Sequence, residues 1–184
     1  MKPLFPLKFS PETITIVSGL PRSGTSMMMQ MLTAGGLKPV TDGIRAADSD
    51  NPKGYYEFEK VKDIKEDTSW LPLCKGKVVK MVSMLLLDLP EGYHYKVVFM
   101  RRDLSEIIMS QRKMLDNLAK DEELDDTQTV THYGRHLVKI KDFMTHRKGL
   151  EYIEIMYTDV IHNSAGAVKR IARFMGRKMD TQSM

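Results

Sequence analysis

The stretch from Ile14 to Ser26 constrains the fold more than any other part of the chain. An apolar run leads into a turn with a glycine at each end, Gly19 and Gly24, and then into the periodicity of a helix over Ser26–Ala34. Such glycines let main-chain N–H groups and the positive end of a helix surround an anion. We therefore predict a phosphate-binding loop at residues 19–26.

Four apolar runs predict buried strands, because none alternates cleanly between apolar and polar positions. They are Ile14–Ser18, Val78–Val82, Tyr95–Met100 and Tyr152–Tyr157. Helical periodicity follows at Ser26–Ala34, around Phe58–Ile64, at Leu104–Leu118, at Val130–Met144 and from Asn163 or Ser164 to Met175. This alternation predicts one three-layer, P-loop-like α/β domain over residues 1–184, with helices on both faces of a parallel sheet of about four to five strands.

Two segments do not follow this alternation. Residues 37–56 are rich in Pro, Gly and Asp and predict a long loop. Long loops in compact domains are often functional. Residues 119–128 form an acidic run, which predicts a solvated connection or a lid.

Composition excludes several classes of protein. The formal net charge is +4, but the basic residues are scattered among 24 acidic ones, so we expect anionic ligands and no nucleic acid. No apolar run is long enough for a membrane span, and no signal peptide precedes the domain, so we predict a cytoplasmic protein. The single cysteine, Cys74, excludes an internal disulfide and a cysteine-built metal site. Assembly into a homo-oligomer stays open.

The phosphate loop departs from that of nucleoside-triphosphate-binding proteins at one place. Their pattern, Gly-x4-Gly-Lys-Ser/Thr, has a lysine where this chain has Thr25. The positive charge lies instead within the loop, at Arg22, and the hydroxyls of Ser23, Thr25 and Ser26 add hydrogen-bond donors. We also find no apolar strand that ends in an aspartate placed to hold magnesium. A ligand with fewer charges and no metal fits this loop better.

The loop sequence Gly-Leu-Pro-Arg-Ser-Gly-Thr-Ser resembles the 5′-phosphosulfate loop of sulfotransferases, especially the Pro-Arg-Ser-Gly-Thr form of tyrosylprotein and bacterial members. The resemblance implies that 3′-phosphoadenosine-5′-phosphosulfate is bound without a metal and leaves as 3′,5′-adenosine bisphosphate. The residues that it assigns to the loop site are Pro21, Arg22, Ser23, Gly24, Thr25 and Ser26.

Two further matches extend the resemblance over residues 14–180. In sulfotransferases an arginine at a strand exit and a serine eight residues later bind the 3′-phosphate, and Arg102 and Ser110 have this spacing. Arg101 either substitutes for Arg102 or points to solvent. The segment Ile155–Val160 and the helix that ends at Gly176 resemble the Tyr-Glu-Asp-Leu segment and closing helix of the family, which we interpret as mainly structural.

Sulfuryl transfer needs a positioned acceptor, a base for its proton, and positive charge on the departing phosphate. Arg22 supplies charge, and Lys80 is a second candidate because a lysine on an apolar strand needs a charged partner. Cytosolic sulfotransferases have Lys-Thr-His in this region, but the third position here is Val82. Asn51–Glu57 resembles a bacterial sulfotransferase segment, and a glutamate is the base in the tyrosylprotein branch. We therefore predict Glu57 as the base.

The sequence leaves the acceptor class open among carbohydrates, peptide tyrosines, small phenols and lipids. Two alternative functions also stay open: a P-loop kinase-like phosphotransferase, and a non-catalytic nucleotide-binding protein. Thr25 argues against the first. The second gains weight because no basic, glycine-containing segment of the kind that covers the nucleotide in many sulfotransferases follows Gly176.

Overall fold

The computed structural model describes residues 10–43, 54–117 and 126–184. Its strands are β1 (Thr13–Gly19), β2 (Pro39–Val40), β3 (Val78–Val82), β4 (His94–Arg101) and β5 (Leu150–Met156). Its α-helices are α1 (Thr25–Ala34), α2 (Leu104–Asn117), α3 (Asp126–His146), α4 (Tyr157–His162) and α5 (Ser164–Met175). Short 3₁₀ helices flank β3, at Glu59–Asp63, Leu71–Cys74 and Ser83–Asp88.

The five strands form one parallel sheet in the order β2-β3-β1-β4-β5. Its register brings the ends of the three central strands level, because Gly19 pairs with both Val82 and Met100. In open parallel sheets, ligands bind outside the carboxyl ends of the strands where the strand order changes direction. That point lies directly beyond β1, so the predicted phosphate loop stands at the expected binding crevice. The predicted α/β class is confirmed.

Both faces of the sheet are covered, which explains why the strands lack polar alternation. One apolar cluster joins Ile16 and Phe99 to Leu137 of α3. The other joins Val17 and the opposite sides of β3 and β4 to α1 and α5. Every residue of β1 is buried.

Several boundaries differ from the sequence prediction. The predicted strand Tyr152–Tyr157 runs from Leu150 to Met156 instead, and Tyr157 begins α4, whose first turn carries Asp159. A carboxylate in the first turn favours the start of a helix. The aromatic and β-branched residues before it favour a strand, so the sequence pattern did not reveal this helix start. The predicted loop over residues 37–56 contains β2, whose two residues pair with β3 and are too few to show a pattern.

The predicted helix around Phe58 is a 3₁₀ helix of five residues. Residues 44–53, most of the predicted loop, and the stretch from Leu118 to residue 125 lie outside the described residues, and residues 126–128 of the acidic run open α3. Within the described ranges, no helix combines the length and apolar character needed to cross a bilayer.

Cys74 gives a direct test of the core packing. The residue is fully buried, and burial raises the pKa of its thiol to about 12. Because the thiolate is the reactive form, we expect the folded protein to resist an aromatic disulfide reagent at neutral pH and to react once per chain in denaturant. Reaction of the folded protein at the rate of free cysteine would contradict this packing.

Candidate active site

The loop between β1 and α1 has the backbone shape of an anion cradle. Gly24 precedes the helix with φ 93°, and Arg22 also has a positive φ of 67°. The first turn of α1 contains no acidic residue and has no side-chain cap. Among the described residues, none accepts a hydrogen bond from the main-chain N–H groups of Gly24, Thr25 or Ser26. These groups and the positive end of α1 therefore offer a site for an anion.

Ser23 is a buried residue of this loop. The residue is fully buried, and its hydroxyl has no hydrogen-bond partner in the described part of the chain. A Cβ at Gly19 would come within 2.4 Å of that hydroxyl oxygen, so the glycine is needed for the close turn. Leaving a buried hydroxyl unsatisfied costs about 1–3 kcal/mol, which a bound oxyanion or water would offset. The predicted loop ligand therefore fits the residues present.

Two arginines connect the predicted 5′ and 3′ halves of the site. The Nε of Arg22, in the loop, donates to the hydroxyl of Ser110 on α2 at 3.0 Å. The Nη1 of Arg102, at the exit of β4, donates to the main-chain oxygen of Arg22 at 3.1 Å. Residues predicted from separate motifs are thus in direct contact. The bond from Arg102 also holds the main chain of Arg22, the loop residue with a positive φ.

Tyr157 supports both halves, a role that the sequence analysis did not assign. The guanidinium carbon of Arg102 lies 4.3 Å from the centre of the tyrosine ring. A Cβ at Gly24 would lie 2.7 Å from Cδ2 of the same ring. The sequence signal for this role is the match at Ile155–Val160, which predicts a mainly structural segment. The ring packs the loop against the arginine and so contributes to the geometry of the site.

Lys80 and Glu57 meet on the other side of the loop. The Nζ of Lys80 lies 3.5 Å from the Oε1 of Glu57 and 3.5 Å from the hydroxyl of Ser26, and it donates to the main-chain oxygen of Tyr55. The side chains are 12% exposed for Lys80 and 27% for Glu57. The predicted base and the predicted strand lysine therefore form one ion pair beside the start of α1.

Main-chain contacts fix the position of Glu57. Its carbonyl oxygen accepts hydrogen bonds from the hydroxyl of Thr41 at 2.8 Å and from the N–H of Asp42 at 3.2 Å. Tyr56, just before it, has a positive φ of 53°, which turns the chain between the Tyr55 carbonyl and the glutamate. The sequence predicted the glutamate but not these anchors, because they depend on the pairing of β2 with β3.

The remaining candidates have simpler placements, as has His136, a half-buried residue that the sequence analysis does not single out. Pro21 lies in the loop and Thr25 begins α1. Arg101 lies 3.3 Å from Glu154 on β5, so it faces a neighbouring strand. His136 contacts the buried hydroxyl of Ser83 at 2.8 Å, and burial lowers the pKa of its imidazole. In the ranges that the structure covers, no three potential metal ligands are clustered.

Comparison with known proteins identifies the family and the fold of the chain. A family profile described as the sulfotransferase domain matches residues 12–184, and the chain belongs to this family. One similar solved structure is the sulfotransferase domain from the curacin biosynthetic pathway, with a TM-score of 0.50 and 13% sequence identity. The alignment covers 89% of this chain and 73% of that one, and at this identity it supports the fold alone. No curated protein matches the sequence significantly.

Proposed function

We propose that this protein transfers a sulfuryl group from 3′-phosphoadenosine-5′-phosphosulfate to a hydroxyl or amine acceptor. The observation that carries the proposal is the contact between the phosphate loop and the strand exit, through Arg22, Ser110 and Arg102, with Lys80 and Glu57 at the same sheet edge. A loop for one phosphate and an arginine for a second, joined directly, suit a nucleotide with phosphates at both its 5′ and 3′ positions.

The loop and its neighbours would hold the two ends of the nucleotide. The main-chain N–H groups at the start of α1 and the hydroxyls of Ser23, Thr25 and Ser26 would bind the 5′-phosphosulfate. Arg102 and Ser110 would bind the 3′-phosphate. For this, Arg22 would give up its hydrogen bond to Ser110 and bind the ligand instead. Charge-assisted hydrogen bonds of this kind each contribute about 1.5–3 kcal/mol.

The nucleotide supplies an activated sulfuryl group, and the protein's residues supply charge and a proton acceptor. Glu57 accepts the proton of the acceptor hydroxyl as the acceptor oxygen bonds to sulfur and the bond from sulfur to the bridging phosphate oxygen breaks. Lys80 and Arg22 stabilise the negative charge that collects on the departing phosphate. Lys80 also orients the Glu57 carboxylate through their ion pair. One lysine would therefore act on both the departing phosphate and the base. These side chains require no metal for their roles.

The nucleotide class can be tested by calorimetric titration with 3′,5′-adenosine bisphosphate, and separately with ATP and magnesium. We expect selective binding of the bisphosphate, and a loss of about tenfold or more in affinity for Arg102→Ala, since one charge-assisted phosphate contact is removed.

Arg101→Ala is the matched control for this titration, because the neighbouring arginine pairs with Glu154 on β5. It should bind the bisphosphate like the wild type. Preference for ATP with magnesium would favour a kinase-like phosphotransferase. Binding of neither nucleotide would refute the proposed donor.

A further inference from the structure

Arg102 is held by three groups of the protein. Its Nε lies 2.8 Å from Oε2 of Glu106, its Nη1 bonds the Arg22 carbonyl, and its guanidinium lies over the ring of Tyr157. The Arg102 side chain is 20% exposed and that of Glu106 is 41% exposed. Arg102 would bind the 3′-phosphate, but Glu106 has no part in the nucleotide binding or the transfer proposed so far.

We propose that Glu106 is a built-in competitor for the 3′-phosphate: it neutralises Arg102 before the nucleotide binds and thereby lowers the affinity of the site for a 3′-phosphate. This inference rests on the proposed function, because it concerns the same nucleotide site.

Geometry decides which partner gives way. Arg102 is fixed by the loop carbonyl on one edge and by the tyrosine ring on its face. Glu106 holds only the Nε edge and is twice as exposed as Arg102, so its carboxylate can rotate toward water while the guanidinium stays in place. The incoming phosphate therefore meets a preorganised arginine and displaces the more exposed carboxylate.

Charge restricts this competition to nucleotides that carry a 3′-phosphate. The Arg102 guanidinium has five N–H groups. A phosphate can bind the N–H groups that are not bonded to Glu106 or to the Arg22 carbonyl, or it can replace the Glu106 carboxylate. A phosphate monoester carries nearly two negative charges at neutral pH, whereas a 3′-hydroxyl carries none and gains nothing from displacing Glu106. While both anions remain near Arg102 they repel each other, which weakens phosphate binding in the native protein.

The test compares Glu106→Gln with the wild type by calorimetry, using 3′,5′-adenosine bisphosphate and adenosine 5′-monophosphate as probes. The glutamine keeps an oxygen that can accept from Nε but removes the charge. We expect the bisphosphate to bind about three- to tenfold more tightly and the monophosphate to bind unchanged. The gain should shrink at high salt, because the repulsion involves partly exposed charges.

Glu154→Gln provides the matched control, since it neutralises the carboxylate beside Arg101 and changes the net charge equally. It should leave both affinities unchanged, and circular dichroism and thermal melting should show that each variant is folded. Weaker bisphosphate binding in Glu106→Gln would make Glu106 a positioning residue and overturn the competition. Unchanged affinity, or an equal gain in Glu154→Gln, would also overturn it. Failure of the wild type to bind bisphosphate would instead refute the proposed donor, and the inference with it.

Discussion

Glu57→Gln is expected to bind 3′,5′-adenosine bisphosphate as the wild type does and to lose sulfuryl transfer by about 10²–10⁴-fold, the usual contribution of a general base. The substitution keeps the size of the side chain and the main-chain contacts to Thr41 and Asp42, which do not involve the carboxylate. It removes the group that would accept the acceptor's proton. Transfer is measured with labelled phosphosulfate and a panel of phenol, sugar and peptide acceptors.

Glu59→Gln is the matched control for this experiment. Glu59 lies two residues away on the same segment and pairs with Lys62 at the surface, away from Lys80. The control should keep both binding and turnover. Full turnover in Glu57→Gln would remove the glutamate from the mechanism. Loss of both binding and turnover would show that the Glu57 carboxylate acts on the structure of the site rather than on the proton.

Gly24→Ala is expected to weaken bisphosphate binding by about tenfold or more. The alanine would keep a positive φ, which costs an L-residue about 1–2 kcal/mol, and its Cβ would lie 2.7 Å from the ring of Tyr157. The ring would have to move, and with it the support beneath Arg102. Both halves of the nucleotide site are therefore disturbed by one methyl group. Calorimetric affinity and the melting temperature are the two measurements.

Gly36→Ala separates the two causes of this effect. Gly36 follows α1 with a similar φ of 97°, but a Cβ there would meet nothing within 4 Å. It should lower the melting temperature through backbone strain alone and leave the affinity unchanged. If Gly24→Ala shows the same pattern as this control, the contact with Tyr157 does not matter for binding.

The sequence predicted the architecture well because its signals are local. Strand runs, the glycine turn and helix periodicity are each visible within about ten residues, and all four predicted strands occur in the sheet. The two-residue strand β2 was missed because a pair of residues has no periodicity, and its order in the sheet depends on tertiary contacts. The start of α4 at Tyr157 was missed because an aromatic residue favours the preceding strand.

The chemistry of single residues was harder to predict, as two lysines illustrate. Lys80 was singled out because it lies on an apolar strand, but Lys96 on β4 fits the same description and is more deeply buried, with its side chain 3% exposed. Its Nζ donates to the carbonyl of Phe174 at 2.6 Å and lies 3.6 Å from Glu151, and burial lowers its pKa. In the sheet register Lys80 lies opposite Val17, two residues before Gly19, whereas Lys96 lies opposite Thr15, four residues before Gly19. Position in the sheet, rather than residue type, separates the site lysine from the structural one.

The hydrogen bonds that hold Glu57 determine which changes in the sequence would leave it in place. Asp42 accepts from the N–H of Glu59 at 2.6 Å, while the N–H of Asp42 and the hydroxyl of Thr41 bond the carbonyl of Glu57. These bonds close the stretch between residues 42 and 57 at its base. Insertions or deletions within that stretch can therefore be accommodated without moving Glu57, the proposed base. The length of this stretch can then vary among related chains while the proposed base keeps its position.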